Sequence, residues 1–295
     1  NSEIRKFKER GNMKYIVMLI IIVFSVSAFA EILIPMDSHS QSDHLKAYGV
    51  TFEALKQELV VKWLLNYRGG SWLIPESPAI TNLCNIRGVD YEVVSSAGVS
   101  QILSEMEAEN MNAVVLETEP KIAVYVPKSK QPWDDAVTLA LTYAEIPYET
   151  LWDEDVLSGK LADYDWLHLH HEDFTGQYGK FYSSFRNAAW YKEEVAVNEA
   201  LAQKLGYKKV WKLKHSVSEK IRDYVKNGGF MFAMCAACDT YDIAIAAGNT
   251  DICDAVYDMD GIDENYNNMM QFERTFAFKD FKLVTSPLVY EFSDI

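Results

Sequence analysis

This sequence has no glycine-rich loop of the Walker type, and without one nucleotide binding has no support. Basic residues are scarce. Against 43 Asp and Glu there are 28 Lys and Arg, a net charge of −15, which repels a nucleic-acid backbone or an anionic membrane surface. Outside the N-terminus the only basic stretch is "YKKVWKLKH" at 207–215, expected to solvate the approach to a helix. Cysteine is sparse too. Cys84, Cys235, Cys238 and Cys253 are too few in 295 residues for a disulfide scaffold, so a large core must carry the fold. There is no internal repeat and no low-complexity tract. The acidic "DICDAVYDMDGIDENYNN" at 251–268 lacks the spacing of an EF-hand loop, so it is expected to be a solvated loop with only weak metal capacity. No cofactor is expected.

No apolar run reaches the ~20 residues of a membrane span. From Met13, "MKYIVMLIIIVFSVSAFA" has a lysine, an apolar core from Ile16 to Val26 and a small-x-small end, Ala28-Phe29-Ala30. This is the pattern of an export signal at 13–30, with cleavage before Glu31 and no stable membrane anchor afterwards. Residues 1–12 read as an upstream segment that is not native, and the expected location is periplasmic or extracellular. The chain stops at the apolar, strand-like "LVYEFSDI", which reads as a C-terminal truncation.

What is present is an alternation of short apolar runs with helical patterns, the mark of α/β architecture with a largely parallel sheet. In 31–118, a smaller α/β half, the runs are "EILIPM", "VVKWLL", "SWLI", "YEVV" and "AVVLE". "NYRGGSWL" has a Gly-Gly turn that predicts one antiparallel hairpin. Near Glu119-Pro120 the pattern starts again. "KIAVYVP", "YETLW", "YDWLHLHH" and "FMFAM" read as four strands, with helices at "PWDDAVTLALTYAEI" (Pro132 near its start) and "SVSEKIRDYVKNGG". That order predicts a doubly wound, mostly parallel, flavodoxin-like sheet over 119–295. In such sheets ligands and catalytic groups collect at the carboxyl ends of the strands.

Two segments fall on that rim. In "FMFAMCAACDTYD" a strand switches to a helix at Cys235, the setting of a nucleophile elbow. Ala233, Ala236 and Ala237 supply the small neighbours a crowded turn needs, and the helix N-terminus favours a thiolate and can hold an oxyanion. Inert core thiol is the equal alternative for Cys235; Cys235-x-x-Cys238 also matches a redox pair or a structural disulfide. The second segment is "LHLHHEDF", where His168 and His170 share one strand face and His171 the other. His170, His171 and Glu172 offer a base with its orienting partner, or metal ligands, and the bland alternative is a polar strand end. Asp173, Gln177, Tyr178, Cys238 and Asp239 are further pocket candidates. "FTGQYGKFYSSFRNAAWY" reads as a loop over the rim, with Tyr178, Tyr182 and Trp190 as an aromatic platform or as satellite core beneath the loop.

"LADYDWLHLHHEDF" followed by "YVKNGGFMFAMCAACDTYD" resembles the trehalose-utilisation-like branch of the class I glutamine amidotransferase-like superfamily. The longer pattern "ILIPMD…HLKAYG…WLLNYRGGSWLIP…LHHEDFTGQYGKFY…MCAACDTYDIA" is similar to a family of exported bacterial proteins often labelled asparagine synthetase B. Authentic asparagine synthetase B uses an N-terminal cysteine and an ATP-pyrophosphatase domain, and neither is found in this sequence. Cys235 stands where that branch has histidine and where class I amidotransferases have their nucleophile. Those enzymes place histidine and glutamate downstream of the cysteine, whereas His39, His44, His168, His170, His171 and His215 all precede it. The resemblance implies an amide or acyl hydrolase in which Cys235 attacks and His170 or His171, oriented by Glu172, moves the proton. The alternatives are a non-catalytic module binding carbohydrate or peptide on the same rim, or a metal site at His170, His171 and Glu172. The expected partner is a small-molecule, peptide or carbohydrate substrate.

Overall fold

In the first strand, β1 (Glu31–Ile34), Ile32 and Ile34 face one way and Leu33 the other, as the two-residue period of a strand requires, and all three are buried. The computed structural model describes residues 30–129 and 135–295. The upstream segment 1–12, the export signal up to Phe29 and Pro132 lie outside the described residues. Contacts divide the chain into two units at Glu119–Pro120, and among the described residues no helix is long and apolar enough to cross a membrane.

The first unit is a five-stranded sheet of β1, β2 (Val61–Leu64), β3 (Trp72–Pro75), β4 (Glu92–Val94) and β5 (Ala113–Leu116), in the order β4-β1-β3-β2-β5. Every pairing in it is antiparallel, which corrects the expectation of a largely parallel arrangement. The physical reason is a split βαβ unit: helix α1 (His44–Lys56) carries the chain from β1 to β2, and β3 then enters between those two strands in the opposite sense. The hairpin predicted at the Gly-Gly turn is what brings β3 back. Gly69 sits there at φ +81°, and a Cβ on it would lie 2.4 Å from the Met36 carbonyl oxygen, so no other residue fits without moving backbone. On one sheet face Ile32, Ile34, Ala47, Val50, Ile80 and Cys84 pack α1 and α2 (Pro78–Arg87). On the other, Leu33, Leu64 and Leu73 meet Val99, Ile102 and Met106 of α3 (Ser96–Ala108).

The second unit is built on a four-stranded parallel sheet of β6 (Ile122–Tyr125), β7 (Glu149–Leu151), β8 (Trp166–Leu169) and β9 (Phe230–Ala233), in the order β7-β6-β8-β9. All four strands coincide with predicted apolar runs. Helices α4 (Ala136–Ala144), α5 (Asp153–Leu157), α6 (Ala189–Lys204), α7 (Val210–Lys226) and α8 (Ala237–Ala247) complete the α/β unit. One sheet face, with Ala123, Tyr125, Leu167 and Leu169, is packed against residues such as Leu213 and Tyr241. The opposite face is thinner at its edge, where Phe230 and Phe232 are 57% and 47% exposed.

Two local expectations are corrected. "YKKVWKLKH" does not merely solvate a helix approach. It supplies the first turns of α7, and Lys214 is buried there, its Nζ bonded to both Asp153 carboxylate oxygens (3.1 and 2.9 Å) and to Tyr125 Oη (3.2 Å). A lysine interior to a core is tolerated when it is paired and hydrogen-bonded in this way. "LVYEFSDI" forms no strand: it contributes only Ser293, to a single bridge with Leu283, and the carbonyl of Glu291 is held by Lys180.

Candidate functional site

The carboxyl ends of β8 and β9 are neighbours in the parallel sheet, and the backbone continues their pairing past the last strand residue. Met234 N–H donates to Leu169 O (3.1 Å) and Ala237 N–H to His170 O (3.2 Å). The hydroxyl of Thr240 donates to Glu172 O (3.0 Å). The two predicted rim segments, 170–172 and 234–240, therefore form one edge.

Cys235 is the apex of the turn between β9 and α8, exposed and at φ +55°. That left-handed conformation costs a non-glycine residue on the order of 1–3 kcal/mol and persists where the surroundings over-determine it. Ala236 N–H makes no hydrogen bond among the described residues, whereas Ala237 N–H is taken by His170 O and Cys238 N–H by Cys235 O (3.1 Å). An exposed thiol thus stands beside one open N–H donor at a helix start. The four cysteines are free thiols, so the C-x-x-C spacing is not closed. Cys238 Sγ donates to Ala233 O (3.3 Å), and burial, then Asp239 and Cys235, raises its pKa. The other two are inert by burial, Cys84 with its pKa pushed up to about 11 and Cys253 well above the usual thiol range.

His170 and His171 meet side chain to side chain, Nδ1 to Nδ1 at 3.2 Å. The carboxylate beside His170 is Asp135, with Oδ2 3.6 Å from His170 Nδ1. Asp135 is placed there by helix geometry: it caps α4, its Oδ1 accepting Thr138 N–H at 2.8 Å. Burial opposes its charge, but the Thr138 bond and the charges of His170 and His171 outweigh that and lower its pKa. Burial first, and His170 second, lowers the pKa of His171. Cys235 Sγ makes no hydrogen bond to either ring among the described residues.

Glu172 does not orient an imidazole. Its Oε2 accepts the backbone N–H of His170 (2.8 Å), while Oε1 is buried without a partner. Burial raises its pKa to about 7 against those backbone bonds. The carboxylate found beside the ring is instead Asp135, 35 positions upstream of His170. His168 is walled in on its strand, stacked on Phe232 at 5.3 Å, and its pKa is lowered by burial.

The pocket candidates are mostly structural. Asp173 folds its own loop, with Oδ1 accepting Thr175 N–H and Oγ1–H (both 2.6 Å) and Oδ2 accepting Gly179 N–H (3.1 Å). Gln177 is buried and donates to Thr175 Oγ1 (3.0 Å). Tyr178 is core, packed edge-on to Tyr191 and near Tyr257; of the two readings of this aromatic segment, the satellite-core one describes it. Asp239 is half-buried, its Oδ1 accepting its neighbour Thr240's N–H (2.9 Å), and burial raises its pKa.

Sequence reasoning missed Asp135, Lys180 and Tyr290. Buried Lys180 donates Nζ to the carbonyls of Val284, Ser286 (3.3 Å) and Glu291 (2.8 Å). This holds a C-terminal turn in which Tyr290 packs tilted against Phe181 (5.8 Å) and lies close enough to Cys235 and Asp239 for their charges, after burial, to raise its pKa. The acidic 251–268 stretch is met by the start of α7: Lys209 reaches Asp258 and Asp260, and Trp211 Nε1 donates to Asp251 (2.9 Å). A cleft of about 560 Å³ lies elsewhere in the second unit, lined by Tyr178, Tyr207, Trp211 and Tyr257 among others and by neither Cys235 nor the histidine pair. No family model matches the chain, and no curated protein and no solved structure matches it, so the resemblance to the class I amidotransferase-like proteins rests on the motifs alone.

Proposed function

We propose that the protein is an exported, cysteine-dependent hydrolase of amide or related acyl bonds, on a doubly wound, flavodoxin-like sheet of the class I amidotransferase-like kind. The strand order β7-β6-β8-β9 supports that arrangement because it matches the first four positions of the flavodoxin order. The observation that carries the function is Cys235: an exposed thiol at φ +55° on a strand-to-helix turn, where strain is tolerated for the sake of position.

In this reading Cys235 Sγ attacks the substrate carbonyl carbon and the carbonyl π electrons move to oxygen. Ala236 N–H donates to that oxyanion. The His170–His171 pair, steadied by Asp135, accepts the thiol proton and returns it to the leaving amine or alkoxide as the tetrahedral intermediate collapses to a thioester. Water then releases the acid and regenerates the thiol. The substrate is a small molecule or peptide rather than a polyanion, given the net charge of −15. The test is turnover of a panel of amides and esters by wild type and Cys235→Ala. The reading expects a loss of at least 100-fold in the variant; equal turnover by both would refute it.

A second reading is favoured by the 560 Å³ cleft with its aromatic walls: a binding module for carbohydrate or peptide. It predicts saturable binding that Cys235→Ala leaves intact and Trp211→Ala abolishes.

A further inference from the structure

The donor atoms of Asp135, His170 and His171 lie within 4.8 Å of one another, close enough for one ion to draw on all three. Around Zn²⁺, with bonds of about 2.0–2.2 Å in a tetrahedron, neighbouring donors stand about 3.3–3.6 Å apart. Here His170 Nδ1 and His171 Nδ1 are 3.2 Å apart, and His170 Nδ1 and Asp135 Oδ2 are 3.6 Å apart. The second of these is too long for a hydrogen bond, and Asp135 Oδ2 is buried without one. Its sister oxygen is already committed to Thr138 N–H (2.8 Å), which fixes the carboxylate as an outer-sphere bond fixes a metal ligand. The main chain that carries the His170 ring is fixed as well, because His170 is tied by its carbonyl to Ala237 N–H and by its N–H to Glu172.

We infer that Asp135, His170 and His171 form a three-ligand site for a first-row divalent transition ion, Zn²⁺ being the natural occupant for two imidazoles and one carboxylate, with the remaining position open to water or substrate. Glu172, offered by the sequence as the acidic ligand, is not part of it, since its carboxylate turns back to the His170 backbone. The inference does not rest on the thiol reading. A bound ion takes both rings out of acid–base service, so metal and thiol chemistry are alternative states of one rim.

The test is Zn²⁺ titration of metal-free full-length protein by calorimetry, with circular dichroism confirming that each variant is folded. One ion per chain is expected at micromolar concentration or tighter, weakened at least 100-fold in His171→Ala and about 10-fold or more in Asp135→Asn, which keeps the helix cap. Cys235→Ala is expected to bind as wild type does. Co²⁺ in place of Zn²⁺ should show the intense visible bands of a low-coordinate site, lost in His171→Ala. No saturable binding, binding unchanged in Asp135→Asn and His171→Ala, or binding lost in Cys235→Ala would each overturn the assignment. An unreactive Cys235 alongside intact Zn²⁺ binding would sink the hydrolase and leave this site standing.

Discussion

His170 O accepts the N–H of Ala237 at 3.2 Å, and this bond ties the histidine rim to the cysteine elbow. It takes up Ala237 N–H, while Ala236 N–H makes no hydrogen bond among the described residues. Backbone geometry, rather than a side-chain contact, is what joins the imidazole pair to the thiol.

The conformation of Cys235 makes a prediction about stability that needs no substrate. At φ +55°, Cys235→Gly relieves strain while adding unfolded-state freedom, and these offset to within about 1 kcal/mol. Cys235→Val places a β-branched side chain in the same conformation and should cost about 2 kcal/mol. Urea melts of the two variants check the contrast, and equal stabilities would mean that the turn relaxes.

Lys180 anchors the turn that carries Tyr290. Lys180→Met strands three carbonyl acceptors and should cost about 2–4 kcal/mol, with new protease cleavage within 284–291. Burial also lowers the Lys180 pKa to about 8, against the pull of Asp173 and Glu291. The unfolded chain then holds more protons than the folded one between about pH 8 and 10.5, so this group makes stability rise across that window. The rise should be absent in Lys180→Met.

Glu194 gives the opposite dependence. Burial first, then Asp173, raises its pKa to about 7, with Lys214 opposing. Between about pH 4.5 and 7 the unfolded chain gives up this proton while the folded one keeps it, so stability falls as pH rises and the loss is complete above 7. The size is on the order of 3 kcal/mol. Glu194→Gln should flatten that part of the profile and be the more stable protein at pH 8, as measured by denaturant midpoints.

Much of this was legible along the chain. The apolar runs located the nine strands of the described residues, because a short strand needs little more than a continuous or alternating apolar stretch. The antiparallel order of the first unit was not legible, since the βα alternation says which elements follow one another and not which strands become neighbours; β3 slots between β1 and β2 only in three dimensions. At the rim, the switch from "FMFAM" to "CAACD" marked Cys235 as an elbow. Asp135 left a trace, an acidic residue just before "AVTLALTYA", which reads as a helix cap without revealing that the cap ends beside His170. Nothing local to "FTGQYGKFY" indicates that Lys180 is buried and reaches residues more than 100 positions away.

Covalent labelling by an acylating amide or ester probe, mapped by peptide mass spectrometry on native and denatured protein, tests the central claim most directly. The account predicts that native protein is acylated at Cys235 alone among Cys84, Cys235, Cys238 and Cys253, at least ten times faster than a free cysteine peptide. Labelling of Cys235 no faster than the peptide, or only after denaturation, would contradict a thiol held for attack.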